Sequence, residues 1–279
     1  MSGCRTNLND TMKRLCCVLA ASFMMANIHA NPLDHGDLAT FPTRDGVTQS
    51  VFISTPAPRP AWVIVLFGGT PGALHLGPNG ATTLTGNFLV RSAQHWIDDG
   101  EAVVLVDTPS DHPEGVDDDF RHGKESFADT QTLVAKVRER FPEAKIALVG
   151  TSAGTVSVGN ALERDPKIAD AFVLTSPVTV SRKGDATVAD LDVDGTQSRV
   201  LVVSNAGDQC PSSPADIAKR LANNRHYDFI EVNSSEGDRY GAGRCGGHSP
   251  HGFLGIEKEV LKAIQAWLKA RPDTPPAPR

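Results

Sequence analysis

The sequence predicts an α/β protein with a mostly parallel central sheet and helices on both of its faces. Two observations predict this fold class. Short runs of apolar residues, such as WVIVLF at residues 62–67, are typical of strands that are buried on both faces. Between these runs lie longer segments in which apolar residues recur at helical spacing. Strands that alternate with helices of about 10 to 15 residues form βαβ units, whose strands are parallel.

The elements of the first half follow from local patterns. Residues 43–54 alternate weakly between polar and apolar and are predicted to form the first strand, which ends at the prolines of residues 56–60. Residues 62–67 are the first buried strand. Residues 87–98 have the apolar spacing of a helix, and the apolar residues 102–106 are predicted to form the next buried strand.

The alternation continues through the second half. Residues 126–141 are predicted to form a helix, because their apolar residues share one face and Pro142 ends the pattern. Further strands are predicted at residues 145–149, 171–175, 200–204 and 227–232, and further helices at residues 153–164, 216–223 and 256–268.

These elements predict a single domain over residues 31–270. The longest gap between them, residues 177–198, is polar, so no large apolar lid is expected. Residues 271–279 are rich in proline and are predicted to be a disordered tail.

Residues 1–30 are predicted to be a signal peptide. A pair of basic residues precedes an apolar run at residues 15–26, and a small residue, Ala30, marks the expected cleavage site. Both Met1 and Met12 are compatible with the start of such a leader. A membrane anchor would need a longer apolar run. We therefore expect export, to the periplasm or the medium.

The charge of the chain bears on its partners. The formal net charge is −6, and there is no basic run, so nucleic acid is not an expected partner. After the leader no apolar stretch is long enough to span a bilayer, so the mature chain is not expected to insert stably into a membrane. The oligomeric state is not predicted.

The motif GTSAG at residues 150–154 lies directly between the strand 145–149 and the helix 153–164. A reversal this tight presents the hydroxyl of Ser152 at the carboxyl edge of the sheet, where open α/β sheets bind ligands. The backbone N–H of Ala153, at the start of the helix, is expected to face a developing oxyanion. The alternative, a serine that merely caps a helix, does not explain why both flanking elements are present.

This motif in this position resembles the α/β-hydrolase family, and the resemblance covers residues 62–268. Longer strings resemble a group of exported bacterial hydrolases: GNFLVRS (86–92), VDTPSD (106–111), LVGTSAGT (148–155) and HGFLGIE (251–257). The family uses a nucleophile, an acid and a histidine in that chain order. The resemblance therefore implies a serine hydrolase, and esters are the default substrates.

Asp208 is the expected acid. It follows the strand 200–204, at the family's usual place for this residue. A carboxylate there would accept the Nδ1–H of the histidine and stabilise the imidazolium. A different group of aspartates, Asp190, Asp192 and Asp194, resembles the first half of a calcium loop. The bidentate Glu that such a loop needs at its twelfth position is replaced by Leu201, so a solvated turn is favoured.

His251 is the expected base, because it matches the family's histidine loop. His248, three residues earlier, is the alternative. Cys210 and Cys245 are the two cysteines that remain after the leader, so a disulfide between them is expected in an oxidising compartment. Such a bond would hold the acid loop to the histidine loop. The spacing of Cys245, His248 and His251 also suits zinc, but the disulfide is the simpler interpretation, and no metal or other cofactor is predicted.

A glycine-rich loop, FGGTPG at residues 67–72, follows the first buried strand. Family members place such a loop at the oxyanion. Gly69 is expected to supply the second N–H of the oxyanion hole, and Thr70 is the alternative donor. The non-functional alternative is that this loop is only a turn at the end of a strand.

The sequence thus predicts hydrolysis of a small-molecule ester through an acyl-enzyme, with Ser152, Asp208 and His251 as the triad. Two other functions remain open. One is an amide or peptide hydrolase with the same triad, and the other is a non-catalytic binding protein that kept the fold.

Overall fold

The structure, a computed structural model, describes Leu33, residues 35–181 and residues 184–270. The predicted leader, residues 1–30, and the predicted tail, residues 271–279, lie outside the described residues. Among the helices of the described part, none is long and apolar enough to cross a bilayer.

Strands and helices alternate along the chain. The strands are β1 (Asp37–Arg44), β2 (Val47–Ser54), β3 (Trp62–Phe67), β4 (Leu76–Gly77), β5 (Gly80–Ala81), β6 (Ala102–Pro109), β7 (Lys145–Thr151), β8 (Ala171–Thr175), β9 (Val200–Asn205) and β10 (Asp228–Val232). The helices are α1 (Phe88–Arg91), α2 (Gln94–Asp98), α3 (Asp118–His122), α4 (Lys124–Arg140), α5 (Gly154–Arg164), α6 (Ala215–Arg225) and α7 (Glu257–Lys269), and short 3-10 turns lie at Gly241–Cys245 and Pro250–Gly252.

The central sheet has the order β1-β2-β6-β3-β7-β8-β9-β10. Strand β2 is antiparallel to both of its neighbours, β1 and β6. The remaining neighbours in the sheet, in the order β6-β3-β7-β8-β9-β10, are all parallel. β4 and β5 form a separate small hairpin. The predicted fold class, a mostly parallel sheet in a single domain, is confirmed.

The sheet is buried on both faces. Side chains of successive strand residues point to opposite faces, and in β3 Val63 and Val65 pack with α4, α5 and α6. On the other face, Ile64 and Leu66 pack with α1, α2 and α7. This explains why the inner strands are apolar without interruption. The carboxyl ends of the parallel strands are left for the loops that form the site.

The prediction of one strand over residues 43–54 is wrong. The chain forms a hairpin there, in which Arg44 of β1 is paired with Val47 of β2 across Asp45 and Gly46. Gly46 has a φ of 69°, and Asp-Gly is a common sequence of two-residue hairpin turns, because glycine adopts this conformation without steric cost.

The predicted helix over residues 87–98 is divided into α1 and α2. Ser92 ends α1 and donates its hydroxyl hydrogen to the carbonyl of Phe88 within the helix, which competes with regular helix continuation. The short helix α3 has no counterpart in the sequence prediction. It carries Arg121, which contacts the loop that follows β3.

Candidate active site

Ser152 lies in the sharp turn between β7 and α5. Its φ is 52°, a left-handed conformation that is costly for residues other than glycine. A Cβ on Gly150 would collide with the carbonyl of Gly154, and a Cβ on Gly154 would collide with the carbonyl of Phe67. Both glycines are therefore required by close backbone contact, as the GTSAG motif predicts.

A pocket of about 510 Å³ lies above this turn. Among the residues that line it are Ser152, Ala153, Gly69, Thr70, His248, His251, Cys210 and Cys245. Asp208 does not line the pocket and lies behind His251. The volume is in the range of pockets for small ligands.

His251 and Asp208 form a buried pair. The Nδ1 atom of His251 is 2.8 Å from Oδ2 of Asp208, and the side chains are 4% and 2% exposed. The other oxygen of Asp208 accepts the backbone N–H of Cys210 at 2.8 Å. The Nε2 atom of His251 is buried without a hydrogen-bond partner among the described residues, so it makes no hydrogen bond with Ser152 here. That nitrogen is the one an acid–base histidine uses toward a nucleophile.

His248 has a different environment. It is exposed at the rim of the pocket, and its ring lies against Gly86. Of the two histidines that the sequence left open, His251 is the one that contacts Asp208.

A disulfide joins Cys210 to Cys245, with a Cα–Cα distance of 4.7 Å. It connects the loop that carries Asp208 to the 3-10 turn that precedes His251, as expected from the sequence. Since both sulfurs are bonded to each other, neither is a thiolate ligand for the zinc arrangement considered above.

Two of the three aspartates that resemble a calcium loop have separate partners. Asp192 pairs with Arg225 at 2.6 Å, while Asp194 accepts the backbone N–H of Thr196 at 2.7 Å. In the part of the chain that the structure describes, no cluster of three His, Cys, Asp or Glu residues is suited to a metal ion.

The two residues expected to supply the oxyanion donors are close to Ser152. Ala153 is buried and precedes α5. Gly69 follows β3 and packs closely on the nucleophile, since a Cβ built on it would be 3.2 Å from the Cβ of Ser152. Its neighbour Thr70 also lines the pocket.

Arg121 of α3 lies behind the glycine-rich loop and was not connected to the site by the sequence. It is 3% exposed. Its Nη2 donates long hydrogen bonds to the carbonyls of Gly69 (3.5 Å) and Pro71 (3.4 Å), and Nη1 donates to Ser157 Oγ at 3.2 Å. The nearest carboxylate, on Asp118, is 3.8 Å from Nε. Burial lowers the pKa of Arg121 to about 10, so the guanidinium stays charged at neutral pH.

Comparisons with known proteins agree with this architecture. Residues 92–224 match the family model described as serine aminopeptidase, S33. A serine hydrolase without a lid from Xanthomonas campestris is 14% identical, with a TM-score of 0.54, and the match covers 87% of this chain and 100% of that one. No protein of curated function matches this sequence.

Esterases and peptidases both occur among the similar structures. An esterase from Pyrococcus furiosus is 12% identical, with a TM-score of 0.59, over 84% of this chain and 92% of that one. An acylaminoacyl peptidase from Pyrococcus horikoshii is 14% identical, with a TM-score of 0.56, over 86% of this chain and 43% of that one. At these identities the similarity concerns the fold. It shows that the chain has the α/β-hydrolase fold, in agreement with the family model that matches residues 92–224 and with the turn that carries Ser152.

Proposed function

We propose that this protein is an exported serine hydrolase that cleaves ester bonds in small molecules. The observation that carries the proposal is the buried pair of His251 and Asp208: the Nε2 atom of His251 has no hydrogen-bond partner among the described residues, and His251 lines the same pocket as Ser152. A histidine oriented in this way by a carboxylate is suited to take a proton from a serine hydroxyl.

The proposed reaction begins when Ser152 Oγ attacks the ester carbonyl carbon and His251 Nε2 takes the hydroxyl proton. Asp208 stabilises the imidazolium through Nδ1–H. The N–H groups of Ala153 and of the glycine-rich loop, for which Gly69 is the expected residue, hold the oxyanion. His251 then gives its proton to the departing alcohol. Water, deprotonated by His251, attacks the acyl carbon, the bond to Ser152 Oγ breaks, and His251 returns the proton to Oγ as the carboxylic acid is released.

Covalent labelling tests the proposal most directly. We expect a fluorophosphonate probe to label the purified protein, and the Ser152→Ala variant to lose both labelling and p-nitrophenyl ester hydrolysis. The His248→Ala variant serves as the control and should remain labelled. A protein that is not labelled and hydrolyses no ester would instead be a binding protein with this fold.

An amide or peptide hydrolase is the second candidate. The family-model description and the similarity to an acylaminoacyl peptidase favour it. The rates for p-nitrophenyl esters and peptide p-nitroanilides, compared on the same preparation, decide between the two. A higher kcat/KM for anilides would reject the ester proposal, while Ser152, Asp208 and His251 would remain the proposed triad.

Export is supported by the basic pair and apolar run of the leader and by the disulfide, which forms and persists in oxidising compartments. Expression of the whole chain in a bacterium, with fractionation and mass measurement, tests this part. We expect a mature chain that begins at Asn31 outside the cytoplasm. An uncleaved cytoplasmic chain with free thiols would contradict export without affecting the proposed chemistry.

A further inference from the structure

Three side chains from three different elements hold the turn that carries His251. The consecutive carbonyl oxygens of Pro250, His251 and Gly252 each accept a hydrogen bond. The donors are Asn205 Nδ2 at the end of β9 (2.8 Å), Ser176 Oγ directly after β8 (2.8 Å) and Arg91 Nη2 at the end of α1 (2.6 Å). We refer to Asn205, Ser176 and Arg91 as the histidine clamp.

Asn205 also holds the loop of the acid. Its Oδ1 accepts the backbone N–H groups of Gly207 (2.9 Å) and Ser234 (3.0 Å), and its carbonyl accepts the N–H of Asp208 (2.9 Å). The residue is fully buried. A side-chain amide can accept at one end and donate at the other. Asn205 therefore links the Asp208 loop to the carbonyl of Pro250, next to His251, inside the protein.

The other two members fix the base from different directions. Ser176 has a φ of 43°, a conformation that is unusual for serine and that occurs where its hydroxyl contacts the carbonyl of His251. Arg91 is paired with Glu257 of α7 at 2.7 Å and also donates to the carbonyl of Gly86 at 2.7 Å. The turn is thus attached to two strand ends and two helices.

We propose that the histidine clamp, with Asn205 at its centre, is a positioning device that sets the imidazole of His251 against the carboxylate of Asp208. The inference rests on the proposed function. Asn205 acts through the backbone on each side and is not itself one of the reacting groups. Such a residue matters because a displacement of about 1 Å in a catalytic group can cost about 100-fold in rate.

The variant Asn205→Asp tests the clamp with almost no change of shape. It keeps an oxygen for the N–H groups of Gly207 and Ser234, but it replaces the donor to Pro250 with an acceptor. We expect kcat for an ester to fall about 10- to 100-fold, with KM within about threefold of the wild type, at a temperature where both proteins are folded.

Asn160→Asp is the matched control. Asn160 is equally buried, and its amide donates to the backbone carbonyls of Arg121 (3.0 Å) and Gly123 (2.9 Å). Its Oδ1 accepts a hydrogen bond from Arg164 Nε at 2.6 Å, and none of these partners is on the acid or histidine loop. We expect a similar loss of thermal stability, and a fall in kcat that stays below the roughly tenfold effect expected for removal of the Arg121 guanidinium, because only the backbone of Arg121 loses a partner.

A spectroscopic measurement tests the same point without turnover. An imidazole N–H that is bonded to a carboxylate gives a proton NMR resonance at low field, and the loss of this resonance in Asp208→Ala would assign it to His251. We expect the resonance in the wild type and in Asn160→Asp, and its loss or displacement in Asn205→Asp. If Asn205→Asp does not fold, Ser176→Ala, which removes a single donor, is measured in the same way with the same expectation.

The outcomes separate the two proposals. An active wild type whose clamp variant keeps both its kcat and its low-field resonance would overturn the clamp alone. A wild type that neither reacts with the fluorophosphonate nor hydrolyses esters or amides would overturn the proposed function, and the clamp with it.

Discussion

The two halves of the candidate site are built in different ways. The nucleophile half comprises the turn of Ser152 and the glycine-rich loop of Gly69, and it is held by backbone segments that touch each other directly. The acid–base half comprises the Asp208 loop and the turn of His251, and it is held by side-chain hydrogen bonds and a disulfide. Close backbone contacts that exclude a Cβ occur in both halves, for example at Gly154 and at Gly252, but the acid–base half has in addition the disulfide and the three side chains of the histidine clamp.

This difference teaches how each half should respond to change. Where backbone meets backbone, as at Gly154 and the carbonyl of Phe67, any added atom collides, and the response is all or none. Where several side chains hold one turn, removal of a single contact leaves the others, so the response is graded.

Both halves are needed for chemistry, so the loss of either reacting group should have the largest effect. We expect Ser152→Ala and His251→Ala each to lower kcat/KM by about 10⁴-fold or more, which corresponds to about 5.5 kcal/mol. His248→Ala should stay within about threefold of the wild type, because His248 makes no contact with Asp208. Steady-state kinetics on one ester measure all three. A large loss in His248→Ala together with an active His251→Ala would exchange their roles.

In the nucleophile half, Gly154→Ala should destabilise the protein by more than about 4 kcal/mol, because its Cβ would collide with a buried backbone carbonyl. Gly77→Ala is the matched control, since a Cβ at Gly77 would meet nothing closer than 3.7 Å, at Thr82. Urea unfolding followed by circular dichroism measures both. Equal stability of the two variants would show that the turn of Ser152 tolerates a side chain at position 154.

In the acid–base half, removal of the disulfide by Cys210→Ser with Cys245→Ser should lower the free energy of unfolding by about 4 kcal/mol, since the bond closes a loop with a sequence separation of 35. Activity at low temperature should fall less than in Asn205→Asp, because the histidine clamp still joins the two loops. In the Asn205→Asp background the same removal should cost more activity than it does alone. If the two changes lowered activity independently of each other, the disulfide and the histidine clamp would not hold the same two loops together.

Arg121→Met should have the smallest effect on kcat. A measurable loss would weaken the contrast between the halves, because a side chain would then also matter for the nucleophile half. The guanidinium of Arg121 binds the carbonyls of Gly69 and Pro71 and so holds the glycine-rich loop that carries the expected donor, the N–H of Gly69. We expect kcat to fall about tenfold, or about 1.4 kcal/mol, with KM little changed. Affinity for a trifluoromethyl ketone, whose serine adduct carries an oxyanion, should fall in parallel.

The control for Arg121→Met is Arg138→Met. Arg138 also donates to a backbone carbonyl, that of Ile168 at 3.0 Å, but it is partly exposed and remote from the pocket. Its kcat and its affinity for the ketone should be unchanged. If the two variants behave alike, Arg121 supports stability and not the oxyanion.

Sequence patterns predicted the parallel core well because its strands are continuous apolar runs, as in Trp62–Phe67. They also indicated the turn of Ser152, since the glycines that permit it lie within the same five residues. The hairpin at Asp45 and Gly46 was missed although its two-residue signal was present. The division of the helix at Ser92 had only a weak local signal, a serine that bonds back to its own helix.

Arg121 and Asn205 carried no signal at all. An arginine in a polar segment and an asparagine at the end of a strand are ordinary surface or turn residues by sequence. Their roles depend on carbonyls far away in the chain, those of Gly69 and Pro250. Only the folded chain brings these groups together.

The sequence by itself determined the parallel strands of the core and the sharp turn of Ser152, because burial and steric freedom are properties of short segments. The tertiary structure decided that His251 and not His248 meets Asp208, and which buried side chains hold the turn of His251 in place. The physical reason is that hydrogen bonds between distant loops depend on how the sheet arranges its strand ends, and neighbouring residues do not encode that arrangement.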